Sequence, residues 1–196
     1  MKGLLEWSQD RGTPVWVRLV KGAYWDYETV VAQSRNWPVP VFQDKWQSDE
    51  NYERLTLFLL ENYQDLRPAF GSHNLRSLSH VLACAKQLNV PEGAFELQML
   101  YGMAEEQARA FSDLGHRVRI YTPFGQLMPG MAYLVRRLLE NTSNDSFLRH
   151  SYDDNVRIED LLMTPASLAK LPTRRKSQVE FAFVNEPIAD FSQNET

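Results

Sequence analysis

The sequence predicts an α/β fold: the C-terminal five βα units of a (β/α)8 TIM-like barrel, followed by an irregular linker. Three observations carry that reading. Short β-rich runs begin near Val15, Val39, Ala69, Phe95 and Val118, spaced 24, 30, 26 and 23 residues apart, and a helical pattern follows each. A β-then-α repeat of that period builds parallel strands joined by right-handed crossovers. No Gly-x-Gly-x-x-Gly turn follows any of these runs, which weakens the dinucleotide-binding version of the competing architecture, an open doubly wound sheet. The unusual polar residues cluster just past the strand ends, at Lys21-Gly22, Gln43 to Lys45, His73-Asn74, Gln98 and Tyr121-Thr122. That is the face on which barrels build their sites. A barrel needs eight units and five are counted, so roughly three N-terminal units are expected to lie outside the chain.

Taken in order, the opening Met1-Lys-Gly-Leu-Leu-Glu-Trp7 reads as the end of an amphipathic helix, as if a fold were entered partway. Val15-Trp-Val-Arg-Leu-Val20 is apolar on both faces, as expected of a strand covered on both sides. A helix is predicted over 24–34, and Pro38-Val-Pro-Val-Phe42 is the second extended run. Ser48 reads as the N-cap of a helix reaching Asn62, with Asp49 and Glu50 in its first turn. Ala69 to His73 is the third strand, followed by a helix over 75–88; Phe95 to Leu100 is the fourth, followed by a helix from Ala104 that stops at Gly115. Val118 to Thr122 is the fifth, and a Pro/Gly-rich turn leads from it into a helix over 131–140. From Ser151 the character changes, with Asp153-Asp154, Pro165, Pro172 and the basic run Arg174-Arg175-Lys176. Only a short helical hint at Ile158 to Met163 and one strand-like run, Phe181 to Val184, interrupt it. Residues 1–150 therefore read as a partial barrel and 151–196 as a linker or docking arm.

Composition sets bounds on function. The 196 residues carry a net charge of −4, which leaves no basic footprint for nucleic acid. The single cysteine, Cys84, excludes an internal disulfide and a multi-cysteine metal site, and fits a reducing, cytoplasmic compartment. Its run, Leu82-Ala-Cys-Ala85, suits packing. No apolar run approaches the roughly 20 residues of a membrane span, and the start lacks a signal-peptide pattern. His80, His116 and His150 show no metal-ligand spacing, so no metal is expected. No Gly-x-Ser-x-Gly elbow is present, and Glu105-Glu106 and Asp153-Asp154 read as solvated charges.

The unusual element is the last helix. At about 100° per residue, Tyr133, Arg136, Arg137 and Glu140 share one arc, while Leu134, Val135, Leu138 and Leu139 cover the other side. The plain reading is an amphipathic helix with an exposed Arg136–Glu140 i,i+4 pair. The functional one is an anion site made by two fixed cations. Arg18 and Lys21, with Gly22, Tyr24 and Trp25 beyond, form a second anion- and ring-binding corner, or else a strand-end charge pair with core aromatics. His73 suits either a cofactor phosphate or a structural hydrogen bond.

Four motifs then speak together. Arg18-Leu-Val-Lys-Gly-Ala-Tyr-Trp25, Leu100-Tyr-Gly-Met103, Arg119-Ile-Tyr-Thr-Pro-Phe-Gly125 and Tyr133-Leu-Val-Arg-Arg-Leu-Leu-Glu-Asn141 resemble, in order, the proline dehydrogenase domain. The match is closest to the version found in bifunctional bacterial proline utilization enzymes and runs from about residue 14 to residue 150. Phe183-Val-Asn-Glu-Pro-Ile-Ala-Asp-Phe191 looks like the lead-in to their aldehyde dehydrogenase half.

The resemblance implies a distorted FAD-binding barrel that oxidises L-proline to Δ1-pyrroline-5-carboxylate and passes electrons to a quinone. The full-length enzyme would be cytoplasmic or peripheral to the inner membrane. Arg136 and Arg137 would clamp the proline carboxylate, and Glu140 would orient them. Tyr24, Leu100, Tyr121 and Tyr133 match positions that wall the proline ring or support the clamp. Arg18 matches an arginine near flavin N5, and Val20, Lys21, Gly22, Ala23 and Trp25 match the rest of the cofactor shell. Lys45, His73, Asn74, Gln98, Ser146 and Phe147 match weaker cofactor contacts. Departures exist: Gln43-Asp44-Lys45 stands where the family usually has Thr-Arg-Lys, and Tyr101 where a His is common. Nothing matches the lysine and aspartate that the family's early strands supply. The chain is therefore expected to be inactive alone, a piece that needs the N-terminal part of the barrel. The competing expectations are a non-catalytic remnant or split-gene piece that completes a barrel with another chain, and another flavin or sugar-phosphate barrel.

Overall fold

The computed structural model describes residues 1–22, 24–142, 159 and 162–168. Among these, α1 (Lys2–Arg11), β1 (Val15–Leu19), α2 (Trp25–Ser34), α3 (Lys45–Glu61), β2 (Leu66–Gly71), α4 (Leu75–Gln87), β3 (Glu96–Leu100), α5 (Glu105–Asp113), β4 (Val118–Tyr121), α6 (Leu127–Thr142) and α7 (Pro165–Leu168) follow in order. The four strands form one sheet in the order β1-β2-β3-β4, and every neighbouring pair is parallel. A doubly wound sheet reverses its strand order at a switch point. Among the described strands the order does not reverse, an order consistent with an arc of a barrel.

The expected second strand is absent among the described residues: 38–42 form no strand, and β1 pairs directly with β2 through Arg18↔Ala69 and Leu19↔Phe70. Pro38 and Pro40 explain both the extended look and the failure to pair, because proline fixes φ but has no N–H to donate to a ladder. The count of five strands is thus corrected to four, with α2 and α3 together spanning the first crossover. The start of α3 is also corrected. Asp44, not Ser48, is the N-cap, in extended conformation, and its N–H donates to the Gln47 side chain three residues on.

The sheet is packed on one face only, against the expectation of cover on both sides for the first strand. Leu66, Phe70, Leu97 and Met99 meet Leu59 and Leu60 of α3, Leu78 and Val81 of α4 and Phe111 of α5 in a single core. Phe70 is fully buried, with its ring edge-on to Phe95 at 6.0 Å. The alternation of strand side chains sends Trp16, Arg18 and Val20, together with Gln98, Arg119 and Tyr121, to the opposite face. Trp16 is 51% exposed and Tyr121 59%. Trp16 made β1 look apolar on both sides; its ring lies bare, capped only by the Arg67 guanidinium at 5.9 Å.

Two local devices fix the layer. Ser8, buried in α1, donates to the carbonyls of Thr13 and Asp65 and so ties the first helix to the foot of β2. Asn74 caps α4: its side chain accepts from the Ser77 N–H at 3.2 Å. Asn74→Ala is expected to destabilise the chain by about 1 kcal/mol, read as a lower urea midpoint at unchanged slope; an unmoved midpoint would deny the cap its role. On the outer wall, α7 packs against α3, and Arg76 Nε donates to the Leu162 carbonyl at 3.3 Å. The strand-like run 181–184, most of the helical hint at 158–163, and the remainder of the arm lie outside the described residues.

Candidate active site at the strand ends

β2, β3 and β4 end side by side, with Gly71 opposite Gln98 and Leu100 opposite Tyr121. The segment after β2 carries His73, and α6 returns over these ends. Tyr133 of α6 donates its hydroxyl to the Tyr101 carbonyl, just past β3, at 3.1 Å. Glu140, two turns on, reaches His73, with Oε1 3.6 Å from Nδ1. The other ring nitrogen, Nε2, accepts the Leu100 N–H at 2.9 Å. Glu140 also meets Arg137, Oε2 to Nη2 at 3.3 Å, and the Arg137 guanidinium lies over the Tyr133 ring at 5.0 Å. The ion pair of this helix is therefore Arg137–Glu140 at i,i+3, not the Arg136–Glu140 i,i+4 pair of the plain reading. His73 and then Arg137 hold the Glu140 carboxyl below the usual carboxylate range, while burial raises the Tyr133 phenol.

The two arginines differ. Arg137 is half-buried, and its Nε is buried with no hydrogen-bond partner among the described residues. A buried unpaired donor on a cation suits an anion. Arg136 is exposed and forms no ion pair among the described residues. Leu100 and Tyr121 lie on the bare face beside this cluster, and Tyr24, the residue before α2, is 66% exposed at the end of β1.

A second polar array crosses the bare face. Arg119 grips Glu96 with two charge-assisted bonds, Nε to Oε1 at 2.7 Å and Nη2 to Oε2 at 2.8 Å. Gln98 donates to Glu96 Oε1 at 2.6 Å, and its own Oε1 accepts from Arg18 Nε at 2.6 Å. Gln98 is thereby oriented, and it presents Arg18 on the sheet. A side chain at Gly71 would put its Cβ 3.0 Å from Val20 Cγ1 and 3.2 Å from Arg18 Nη2, so glycine keeps that corner open. Neither Glu96 nor Arg119 stood out in the sequence as a candidate. The signal was there: Glu96 and Gln98 alternate on one strand face, and Arg119 lies opposite Gln98. The two bonds from Arg119, aided by Gln98, hold the Glu96 carboxyl below the usual range. A depressed carboxyl stabilises the fold above its unfolded pKa, and that contribution is lost as pH falls through the folded one. Glu140 acts in the same direction. Glu96→Gln is expected to flatten the acid limb of a stability-against-pH curve measured by urea unfolding; an acid limb as steep as that of the native chain would show that the bonds are not kept in solution.

The remaining residues expected in a cofactor shell fall as follows. Lys21 is half-buried between α3 and α4, where it bonds Asp49 and, at 2.6 Å, Ser77 Oγ, with the Tyr52 ring 5.2 Å away. Burial lowers its pKa against the pull of Asp49. Gly22 takes φ 83°, the left-handed turn that releases the chain from β1. Trp25 Nε1 donates to the Phe42 carbonyl at 2.7 Å, leaving the ring 47% exposed. Lys45 is the exposed first residue of α3. Asn74 is occupied as a cap. Ala23, Ser146 and Phe147 lie outside the described residues. Among the described residues no cluster of three His, Cys, Asp or Glu side chains is placed to hold a metal ion, and no helix is long and apolar enough to cross a membrane.

Comparison with known proteins gives this geometry its context. The family model described as "Proline dehydrogenase" matches residues 1–150. Bifunctional protein PutA of Rhizobium meliloti is 36% identical over 172 residues, covering 85% of this chain and 14% of that protein. Proline dehydrogenase 2 of Bacillus subtilis is 33% identical over 131 residues, covering 67% of the chain and 39% of its relative. Among solved structures, proline utilization A of Bdellovibrio bacteriovorus, inactivated by N-propargylglycine, superposes with a TM-score of 0.81 at 57% identity, covering 85% of this chain and 17% of the other. The chain spans well under half the length of these relatives. On its sequence and its fold alike, it belongs to the proline dehydrogenase family.

Proposed function

We propose that this chain forms the substrate-gripping arc of a flavin-dependent barrel that oxidises L-proline to Δ1-pyrroline-5-carboxylate. The observation that carries the reading is the placement of α6 over the strand ends, with the Arg137 guanidinium over the Tyr133 ring and its buried Nε without a hydrogen-bond partner among the described residues. Arg137 and the exposed Arg136 bind the proline carboxylate. Charge-assisted bonds of this kind contribute about 1.5–3 kcal/mol each, and their fork fixes the ring's orientation. Glu140 keeps Arg137 in place without consuming its Nε.

The residues present fit FAD. Arg18 is held on the bare face by Gln98, Gly71 leaves that corner without a side chain, and the Trp25 ring and Lys45 are exposed nearby in the chain; a cationic, partly aromatic surface suits an anionic dinucleotide with a flat ring. Arg18, Val20, Lys21, Gly22, Trp25 and Gln98 would hold the cofactor, with Lys45, His73 and Asn74 near it; the resemblance adds Ala23, Ser146 and Phe147, which lie outside the described residues. Bound FAD would supply the acceptor for the hydride leaving proline. Asp44, by contrast, brings a negative charge next to Lys45, which lowers the expected affinity for the pyrophosphate.

The arc is read as working only when closed by further strands, because β1 and β4 leave open edges and the sheet leaves one face bare among the described residues. On this reading the chain alone is inactive, and the complete enzyme is cytoplasmic or peripheral to the inner membrane. It hands electrons to a quinone and carries an aldehyde dehydrogenase domain, as the fused relatives' name "bifunctional" suits. Purifying the chain with FAD, alone and with a separately expressed N-terminal barrel segment from a relative, tests this. Yellow protein that reduces a dye with L-proline only in the mixture is the expected result. Activity in neither sample, despite bound flavin, would favour the non-catalytic remnant.

A further inference from the structure

We propose that His73 is a positioning residue for the arginine clamp, acting through Glu140 to hold α6 over the ends of β2 and β3. This rests on the reading of Arg137 as the carboxylate ligand. One ring nitrogen is hydrogen-bonded and the other faces a carboxylate. Nε2 accepts the Leu100 N–H at 2.9 Å, which requires it to be unprotonated, so the proton of the neutral ring sits on Nδ1. Nδ1 faces Glu140 Oε1 at 3.6 Å. The tautomer is set by the backbone of β3, and its N–H is aimed at α6.

The consequence runs one step further. Glu140 has two oxygens: His73 faces Oε1 and Arg137 Nη2 meets Oε2. With Oε1 facing the histidine, Arg137 meets the carboxylate through Nη2, and its buried Nε has no hydrogen-bond partner among the described residues. Without His73, Glu140 is able to turn both oxygens onto Arg137, the bidentate arrangement that arginine and carboxylate favour. The clamp would then neutralise itself. His73 thus joins three elements at one point: the exit of β2, the last residue of β3 and the final turns of α6.

The test is nuclear magnetic resonance on the full 196-residue chain, with no cofactor required. The His73 ring is expected to show a protonated Nδ1 and an acceptor Nε2. His73→Leu is expected to speed hydrogen exchange at the Leu100 amide and at residues 133–140 by about tenfold, the loss of one well-formed hydrogen bond, and to shift the Arg137 Nε–H signal toward that of a carboxylate-paired guanidinium. Exchange in α3 and α4 should not change. His73→Gln, which keeps an acceptor and a donor on one side chain, is expected to restore most of both signals. A leucine variant with native exchange, or a glutamine variant as damaged as the leucine one, overturns the proposal. Should either variant fail to fold, Glu140→Gln provides the same reading from the other side: it is expected to move the His73 Nδ1–H and Arg137 Nε–H signals, and unmoved signals overturn the proposal equally. Adding L-proline separates the two readings. If His73 behaves as expected and proline leaves Arg137 Nε–H unmoved, the positioning stands and the carboxylate clamp fails.

Discussion

Arg137→Met is expected to weaken L-proline binding by roughly 10- to 100-fold, the equivalent of one or two charge-assisted bonds. Methionine keeps the length and the apolar stem but removes the fork, so packing on Tyr133 is largely preserved while the carboxylate loses its partner. Glu140 is then left half-buried facing His73 without its arginine partner, so α6 should also loosen. Arg136→Met behaves differently. Arg136 is exposed and unengaged within the described residues, so its loss should raise KM with no change in the stability of the ligand-free protein. The measurement is KM for L-proline in the closed, flavin-loaded enzyme, paired with a urea midpoint for each ligand-free variant. Equal KM values for native and Arg137→Met proteins would remove the clamp from the mechanism.

The largest effect on stability is expected from Phe70→Ala, at about 3–5 kcal/mol. Phe70 has no exposed surface, lies on the helix-packed face of β2 and meets Phe95 edge-on. A sheet packed on one side has a single core to draw on, and whole domains are stable by only about 5–15 kcal/mol. Denaturant unfolding should show most of the chain's stability gone. Because Phe70 lies three residues before His73, the site should disorder with it. A loss below about 1 kcal/mol would mean that the helix layer does not rest on β2.

Much of this was legible in the sequence, for physical reasons that can be named. The runs at Val15, Phe95 and Val118 became strands because β-branched and large apolar residues alternate there between a packed face and a bare one. The run at Val39 mimicked them because proline imposes the same extended φ while removing the donor that pairing needs. Ser48 carried the composition of an N-cap, yet Asp44 had Gln47 to answer its N–H, and the helix began there. The arc of Tyr133, Arg137 and Glu140 followed from helical spacing alone. What spacing within one helix could not supply was the outside partner: His73 reaches Glu140 only once β2, β3 and α6 are assembled, and the same holds for Arg119 on Glu96. On α6 itself the pairing is i,i+3, Arg137 with Glu140, and Arg136 is exposed.

The docking of α7 on α3, fastened by Arg76 to the Leu162 carbonyl, has a steric consequence for architecture. α6 lies over the strand ends, whereas α7 lies on the helix layer against α3. Among the described residues, α7 therefore covers part of the helix layer and leaves the strand ends and the bare face of the sheet clear of it.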